Sequence, residues 1–588
     1  MWRYLLAERK KQYIMVNKWN FRTPTEEELH KRDILGAELG LSPMISLLLV
    51  QRGLTSRKEV ERFFNPSLSD LHDPFLMPDM DKAVKRLNKA LGNKEKILIY
   101  GDYDVDGTTA VALVYKYLRP YTSALDFYIP DRYDEGYGIS YKGVDYAYER
   151  GITLVISLDC GIKAVDKVEY AKQKGIDFII CDHHMPDDVL PDAVAVLDAK
   201  RLDSTYPYEH LSGCGVGFKF MQAFAKSNNF PFTGLEKLLE LTAVSIASDI
   251  VPITGENRVL AYYGLKQLNS NPGFGLKGVI DVCGLAWKEI TISDIVFKIG
   301  PRINASGRMM NGREAVELLL SKDAASAKER SESINQYNEE RRELDKKITD
   351  EANALIEKQP DFDSKKAIVV YNPAWHKGVI GIVASRLTEK YYRPAVVLTK
   401  SSELVTGSAR SVSNFDIYKA IENCRDLLEN FGGHTYAAGL SLREENLEAF
   451  TQRFMEIAAH EMVPEQMIPQ IDIDSILDLR EINQKFVADL KKMSPFGPDN
   501  QKPVFCSLNV RDYGTSKAVG KEQEHLKLEL IDDNSNTPMH AIAFSMSRHK
   551  DHIKKMKPFN ICYTVEENTY NNVTNIQLLI KDIKTDGT

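Results

Sequence analysis

The heptapeptide GDYDVDG, Gly101–Gly107, sets Asp102, Asp104 and Asp106 at alternate positions directly after the apolar run KILIY. Three carboxylates in so short a stretch repel one another unless a cation offsets their charge, so the spacing points to a metal site. A calcium loop of the EF-hand type opens with the same DxDxDG spacing. It also needs a preceding helix and a Glu at its twelfth position, which here is Leu113. Two further apolar runs end in candidate ligands: SLDCGI presents Asp159, and ICDHHMP presents Asp182, His183 and His184. Carboxylate oxygen and imidazole nitrogen together suit Mn or a similar divalent ion. SIASDIVPI carries Asp249 after an apolar helical run ending near Ala247, and alone this Asp reads equally well as a helix-end residue before the turn at Pro252.

A second set of residues suits phosphate. In GPRINASGRM, Arg302 and Arg308 stand among small residues, the pattern of a phosphate approach or of an ordinary glycine-rich turn. Further on, HKGVIGIVASRL, GSARS and FGGHTYAAGLSL bring His376, Ser408, Arg410 and His434 into clusters rich in Gly, Ser and Arg. Small residues admit a chain closely, hydroxyl and backbone N–H groups bond phosphate, and Arg binds it bidentately. The basic run SRHKDHIKKMK, Ser547–Lys557, reads either as a solvated face or as a track for a single-strand backbone.

The elements that must hold these residues follow from hydrophobic periodicity. Between Lys96 and Asp198, short β-branched runs alternate with helical stretches, predicting βαβ units and a parallel, doubly wound α/β sheet. Ligands of such sheets collect beyond the carboxyl ends of the strands, where the acids and histidines fall. Residues 325–358 contain neither Pro nor Gly and are dense in charges that can pair at i,i+4, which predicts one long, largely exposed helix linking two domains. A smaller α/β segment over 359–465 follows. The stretch 466–588 changes to short strands with turn signals, predicting a small OB-like β-barrel. Residues 1–75 are expected to be mainly helical, which leaves 76–324 for the first α/β domain.

At 588 residues, and roughly 100 to 200 per domain, the chain has room for several full cores. Hydrophobic residues at 43% with 27% charged exclude a disordered or fibrous class, and no apolar run approaches a membrane span. The seven cysteines are dispersed, odd in number and without a CxxC pair, which predicts a reducing compartment without a zinc ribbon or disulfide framework. The N-terminus mixes charge into its short apolar patch and has no small-residue cleavage site, so a cytoplasmic location is expected. The segment before Met15 is expected to reflect a misplaced start. With 76 Lys and Arg against 83 Asp and Glu, the net charge of -7 gives no whole-molecule attraction for a polyanion, so any such site must be local.

Taken in order, GDYDVDG, SLDCGI, CDHHMP, SIASDIVPI, GPRINASGRM, WHKGVIGIVASRL, GSARS, FGGH and SPFGPDNQKPVF resemble the DHH phosphoesterase family, and more closely its single-strand-specific 5′ to 3′ exonucleases. The resemblance runs from about Asn65 to the C-terminus. It implies a DHH domain, a DHHA1 domain and the barrel. It makes Asp104, Asp106, Asp159, His183 and Asp249 ligands of two divalent cations, with Asp159 bridging them. His184 would face the scissile phosphate and Asp182 would orient the site from behind. Tyr100 stands where many members have a His, with Asp102 the nearby acid placed to compensate. Arg132, in PDRYDEGYG, would help hold the 5′ end, and Arg308 would stabilise the phosphate under attack. Ser408, Arg410 and His434 would line a strand-binding cleft, and Ala409 replaces a frequent Gly.

Hydrolysis of a phosphodiester needs an activated water and neutralised charge at phosphorus, which two ions about 3.5 to 4 Å apart supply. No Ser or Cys stands with a matching base, so in-line attack by water without a covalent intermediate is expected, with Mn favoured over Mg by the mixed ligand set. The expected product is the 5′-mononucleotide, in DNA repair and recombination. The expected partners are single-stranded DNA, a single-strand-binding protein and a helicase, with the protein a monomer. Two other readings share the motifs: a phosphodiesterase of short oligonucleotides or cyclic dinucleotides, which needs no extended strand track, and a non-catalytic replication scaffold, which has no use for the acids.

Overall fold

The computed structural model describes residues 17–359, 361–570 and 573–585. The segment before Met15 lies outside them. The described chain forms two compact units, one of Thr25–Glu340 with Ala488–Lys502, the other of Arg341–Val487 with the stretch from Pro503 onward and the N-terminal strand.

In the first unit, five parallel strands run in the spatial order Leu125–Tyr128, Ile97–Gly101, Leu154–Leu158, Asp177–Cys181 and Ala195–Leu197. The strands Ile97–Gly101 and Leu154–Leu158 are buried at every position, as continuous apolar runs covered on both faces require. The chain winds outward in opposite directions from these two neighbours, so the switch point of the sheet lies between them. Asp102 follows one and Asp159 the other. One face is covered by the helices Val105–Leu118 and Gly213–Ser227, whose apolar residues share a core with the sheet.

The helix Ala324–Glu357, 34 residues and about 51 Å at 1.5 Å per residue, crosses the division between the units. In the second unit a mixed sheet has the order Asn430–His434, Ala437–Leu442, Leu404–Arg410, Ala395–Ser401 and Ile368–Tyr371, with only the last pair parallel. Five strands, Phe505–Asp512, Phe559–Tyr570, Val573–Thr585, Ser535–Ala543 and His525–Asp532, close into a barrel where Arg511 pairs with Ile531 and Asp512 with Leu530. Closure removes the exposed edges an open sheet would leave.

Two local details differ from the sequence reading, and a third adds to it. The N-terminal region is helical over Glu26–Leu39, Pro43–Val50 and Arg57–Phe64, but it opens on a strand, Lys18–Phe21, that pairs in parallel with Gln470–Ile473. GPRINASGRM is a helix, Gly300–Met309, and its glycines serve packing: a Cβ on Gly300 would stand 2.7 Å from Ser248 Oγ, and one on Gly307 2.6 Å from the Tyr103 carbonyl. The basic run contributes a short helix, Lys550–Lys554, between barrel strands. Among the described residues no helix is long and apolar enough to cross a membrane.

Candidate metal centre and active site

Asp104 caps the helix Val105–Leu118, its Oδ1 accepting from Gly107 N at 3.1 Å. Gly107 lies flat against the Asp102 backbone, where a Cβ would stand 2.5 Å from the Asp102 carbonyl, so the turn tolerates no side chain there. Two residues further on, Asp106 is buried and held at both oxygens. Gly213 N donates to Oδ2 at 2.7 Å, and Cys214 N and Ser245 Oγ donate to Oδ1 at 2.8 and 2.7 Å. Asp159 leaves its strand in the left-handed region, φ 59°, a conformation that costs a non-glycine residue and occurs at functional sites. Asp249 ends the helix Leu239–Ser248. These groups meet His183, whose Nε2 lies 3.2 Å from Asp159 Oδ1, 3.6 Å from Asp249 Oδ2 and 3.7 Å from Asp106 Oδ2.

Asp182 faces away from that meeting point and organises the histidines. Its Oδ1 accepts from His183 N at 2.8 Å and from His184 Nδ1 at 2.7 Å, and its Oδ2 from Ile162 N at 2.8 Å. Burial works against the Asp182 charge, but the bond from His184 prevails and holds the carboxyl down at about 2. The same bond raises His184 against the opposing effect of burial. Burial pushes His183 down to about 4, so its ring is neutral at pH 7 and offers a lone pair.

Burial, then mutual repulsion, raises the carboxyls of Asp104, Asp159 and Asp249. Asp159 Oδ2 and both ring nitrogens of His183 are buried without a hydrogen-bond partner. Oxygen and neutral imidazole donors, crowded, repelling and unsatisfied, fit a divalent cation. Two groupings have donor atoms within 4.8 Å of one another, Asp106 with His183 and Asp249, and Asp159 with His183 and His184.

Each raised carboxyl holds its proton more tightly folded than unfolded. In chelator, the stability these groups allow is therefore present below the ordinary carboxylate range and lost as pH rises through the raised values. Asp159→Asn is expected to raise the Tm in EDTA at neutral pH and to shrink the stabilisation produced by Mn2+, which for the parent is about 2.7 kcal/mol at one hundred times Kd. A lower Tm for this variant in EDTA would contradict the repulsion.

The other expected residues have varied surroundings. Asp102 is fully buried, accepts from Gly138 N at 3.2 Å and is raised by burial, then by Asp104. Tyr100 stacks on Tyr128, donates to the Gly138 carbonyl at 2.9 Å and accepts from Ser140 N, so its hydroxyl braces the 138–140 loop. The Arg132 guanidinium lies 4.8 Å above the Tyr103 ring. The Arg308 carbonyl accepts from the Tyr133 hydroxyl. The Arg302 guanidinium is held by Asn335 Oδ1 at 2.8 Å and the Lys298 carbonyl at 3.0 Å. In the second unit, Arg410 donates to Ser408 Oγ at 3.1 Å, and both face Gly381, where a Cβ would meet them at 3.3 and 3.0 Å. His376 Nδ1 accepts from Gly378 N, and His434 sits at the tip of the hairpin formed by Asn430–His434 and Ala437–Leu442.

Sequence reasoning missed Gly213, Cys214, Ser245 and Tyr137. The small-residue run LSGCGVG, at the start of the helix Gly213–Ser227, signals close backbone approach, though not its target. Tyr137 donates to the Asp159 carbonyl at 2.8 Å and meets the His184 ring edge-on at 5.7 Å.

Family models match the DHH family, N-terminal domain, over residues 96–246, the DHHA1 domain over 364–460 and the RecJ OB domain over 473–582. The single-stranded-DNA-specific exonuclease RecJ of Bacillus subtilis is 36% identical over 567 residues, 96% of this chain and 70% of that protein. The chain belongs to the RecJ family. RecJ of Haemophilus influenzae is 31% identical over 582 residues, 95% of this chain and 99% of that protein. The fold matches RecJ of Thermus thermophilus in complex with Mn2+ at a TM-score of 0.83 and 24% identity, over 97% of this chain and 80% of that one. A RecJ bound to manganese, 30% identical, matches at 0.58 over 68% of this chain and 98% of its own.

Proposed function

We propose that this RecJ-family chain hydrolyses single-stranded DNA from its 5′ end, releasing 5′-mononucleotides. The observation that carries the reading is the convergence of Asp106, Asp159, Asp249 and His183 beyond the carboxyl ends of the sheet, beside its switch point. Membership of a family of single-stranded-DNA-specific exonucleases supports it over a phosphodiesterase of short substrates. The full acid set supports it over a scaffold, because buried, unpaired carboxylates are costly to keep without a cation.

Asp104, Asp106, Asp159, His183 and Asp249 would hold two divalent cations, Mn2+ preferred over Mg2+, which supply the Lewis acidity that activates the attacking water and offsets charge at phosphorus. Around that chemistry the chain's own groups divide the work. The clasp on both oxygens of Asp106 leaves the carboxylate no freedom to turn from its neighbours. Asp182, bound to Nδ1 of His184, orients the ring so that Nε2 would face the scissile phosphate, and the same bond raises the ring's hold on its proton. Arg308 steadies the phosphate under attack, Arg302 stands on the same helix as Arg308, and Arg132 holds the 5′ end. Ser408, Arg410, His376 and His434 grip the strand away from the reacting bond, as does the barrel. We assign catalysis to 76–324, strand binding to 359–465 and 466–588, and the link to 325–358. A single-strand-binding protein and a helicase, which expose and present such strands, fit as associates of a cytoplasmic monomer.

A substrate-length series tests the reading, since a strand-gripping exonuclease prefers a long single strand and a small-substrate enzyme prefers a dinucleotide. Preference for the dinucleotide would overturn it. Arg410→Ala is expected to raise KM severalfold, leave kcat nearly unchanged and reduce the salt slope of single-strand binding by about 0.7. An unchanged KM and slope would remove the GSARS segment from the strand path.

A further inference from the structure

SPFGPDNQKP lies far from the acids in sequence, yet Ala488–Lys502 belongs to the same compact unit as the metal centre. Gly497 and Asn500 exchange backbone hydrogen bonds at 3.0 Å to make a tight hairpin. Asn500 is buried beneath it and donates from Nδ2 to the carbonyls of Met493 at 2.9 Å and Pro495 at 2.8 Å. Arg52 donates to Asn500 Oδ1 at 3.0 Å. Arg258, also buried, spreads its guanidinium over the carbonyls of Met493 and Ser494 at 3.0 and 2.8 Å and of Phe63 at 2.9 Å. This segment is thus fastened from below by two arginines and an amide.

Its upper side meets the loop that follows Asp249. The Pro498 carbonyl accepts from Ile253 N at 2.8 Å, and a Cβ on Gly497 would stand 2.4 Å from Ile253 Cγ1. Ile253 is fully buried, and the collision falls on Cγ1 near the stem of its side chain and not on a free end. Between Asp249 and Ile253 the chain turns through Ile250 in the left-handed region, φ 59°, and Asn257 Nδ2 holds the Pro252 carbonyl at 3.0 Å. Asp249 therefore sits where a helix ends and a short loop begins, and the other end of that loop is set by the hairpin. The same helix supplies Ser245 to Asp106.

We propose that the hairpin Gly497–Asn500 is a brace that positions Asp249 for metal binding, with Gly497 and Asn500 as positioning residues acting through Ile253. The proposal rests on the reading of Asp249 as a metal-holding group. Supporting residues around metal ligands change affinity by about 10 to 100-fold when removed, and a brace working through a loop belongs at the lower end of that range.

The test is Mn2+ affinity of the full chain by titration calorimetry, with kcat, KM and thermal unfolding measured alongside. Gly497→Ala is expected to weaken Mn2+ binding about 10-fold and to lower kcat while KM for single-stranded DNA stays put. Adding Ile253→Ala removes the obstructing Cγ1 and is expected to recover most of the lost affinity. Asn500→Ala, which frees the hairpin without a collision, gives a second reading of the same effect should Gly497→Ala fold poorly. A lower Tm with Mn2+ affinity unchanged in both variants, or no recovery in the double variant, would overturn the brace. Asp249→Asn separates the two layers. Unchanged affinity there defeats the metal reading itself, whereas weakened affinity there with none in Gly497→Ala and Asn500→Ala defeats the brace alone.

Discussion

Replacing Asp106 or Asp159 with Ala is expected to lower hydrolysis by several orders of magnitude while leaving single-strand binding largely intact. Asp106 is clasped at both oxygens by Gly213, Cys214 and Ser245, and Asp159 occupies a left-handed backbone position at the end of a buried strand. Neither arrangement is needed to build the sheet, and the Asp159 conformation costs stability that an ordinary strand end would not. Their common purpose is to fix two carboxylates against His183 Nε2, at 3.7 and 3.2 Å. Without either one, the proposed donor set would lose an anionic ligand and hold its cations, which would offset the phosphate charge, less tightly, whereas the groups proposed to grip the strand are untouched. Gel-shift binding and single-turnover hydrolysis on the same preparations separate the two effects. Near-normal turnover by either variant would remove these acids from the chemistry.

The second large effect is expected from the smallest change, Gly213→Ala. A Cβ at this position would stand 2.5 Å from Asp159 Cβ and 2.8 Å from its Cα, and the residue's own N–H is the donor to Asp106 Oδ2. One methyl group therefore pushes on one acid and displaces the clasp on another. Because misplacement of a reacting group by about 1 Å costs on the order of 10²-fold, kcat should fall by roughly that factor with little change in KM. Gly215→Ala is the matched control, since its Cβ meets nothing nearer than Ser212 Oγ at 3.3 Å. Equal loss in both variants would point to a general weakening of the helix and not to the two acids.

The contrast between these predictions marks what was legible in the sequence. Acids at the ends of apolar strands announce themselves, because a parallel sheet gathers its strand ends on one side, and Asp102, Asp104, Asp106, Asp159, Asp182, His183 and His184 were readable together on that ground, whereas the choice of ligands among them came only from the family resemblance. Their supports were not. Gly213 and Asp106 stand 107 positions apart, and nothing local to LSGCG says which carboxylate its backbone will meet. The GPRINASGRM segment reads as a turn by composition, yet folds as a helix because its glycines let it close against Ser248 and Tyr103. The strand Lys18–Phe21 was unreadable because its partner, Gln470–Ile473, lies at the far end of the chain. Tyr100 was legible as a departure from the family pattern, but only its bonds to Gly138 and Ser140 show that its hydroxyl serves the neighbouring loop.

The central claim is Mn2+-dependent hydrolysis that begins at a 5′ end. Digestion of one single-stranded oligonucleotide labelled at either terminus, with Mn2+ or EDTA and beside Asp106→Ala, tests it most directly. The account predicts immediate release of labelled mononucleotide from the 5′ label, progressive shortening of the 3′-labelled strand, an intact duplex, and no product in EDTA or from the variant. Mononucleotide appearing first from the 3′ label, or no Mn2+-dependent product from any strand, would contradict it.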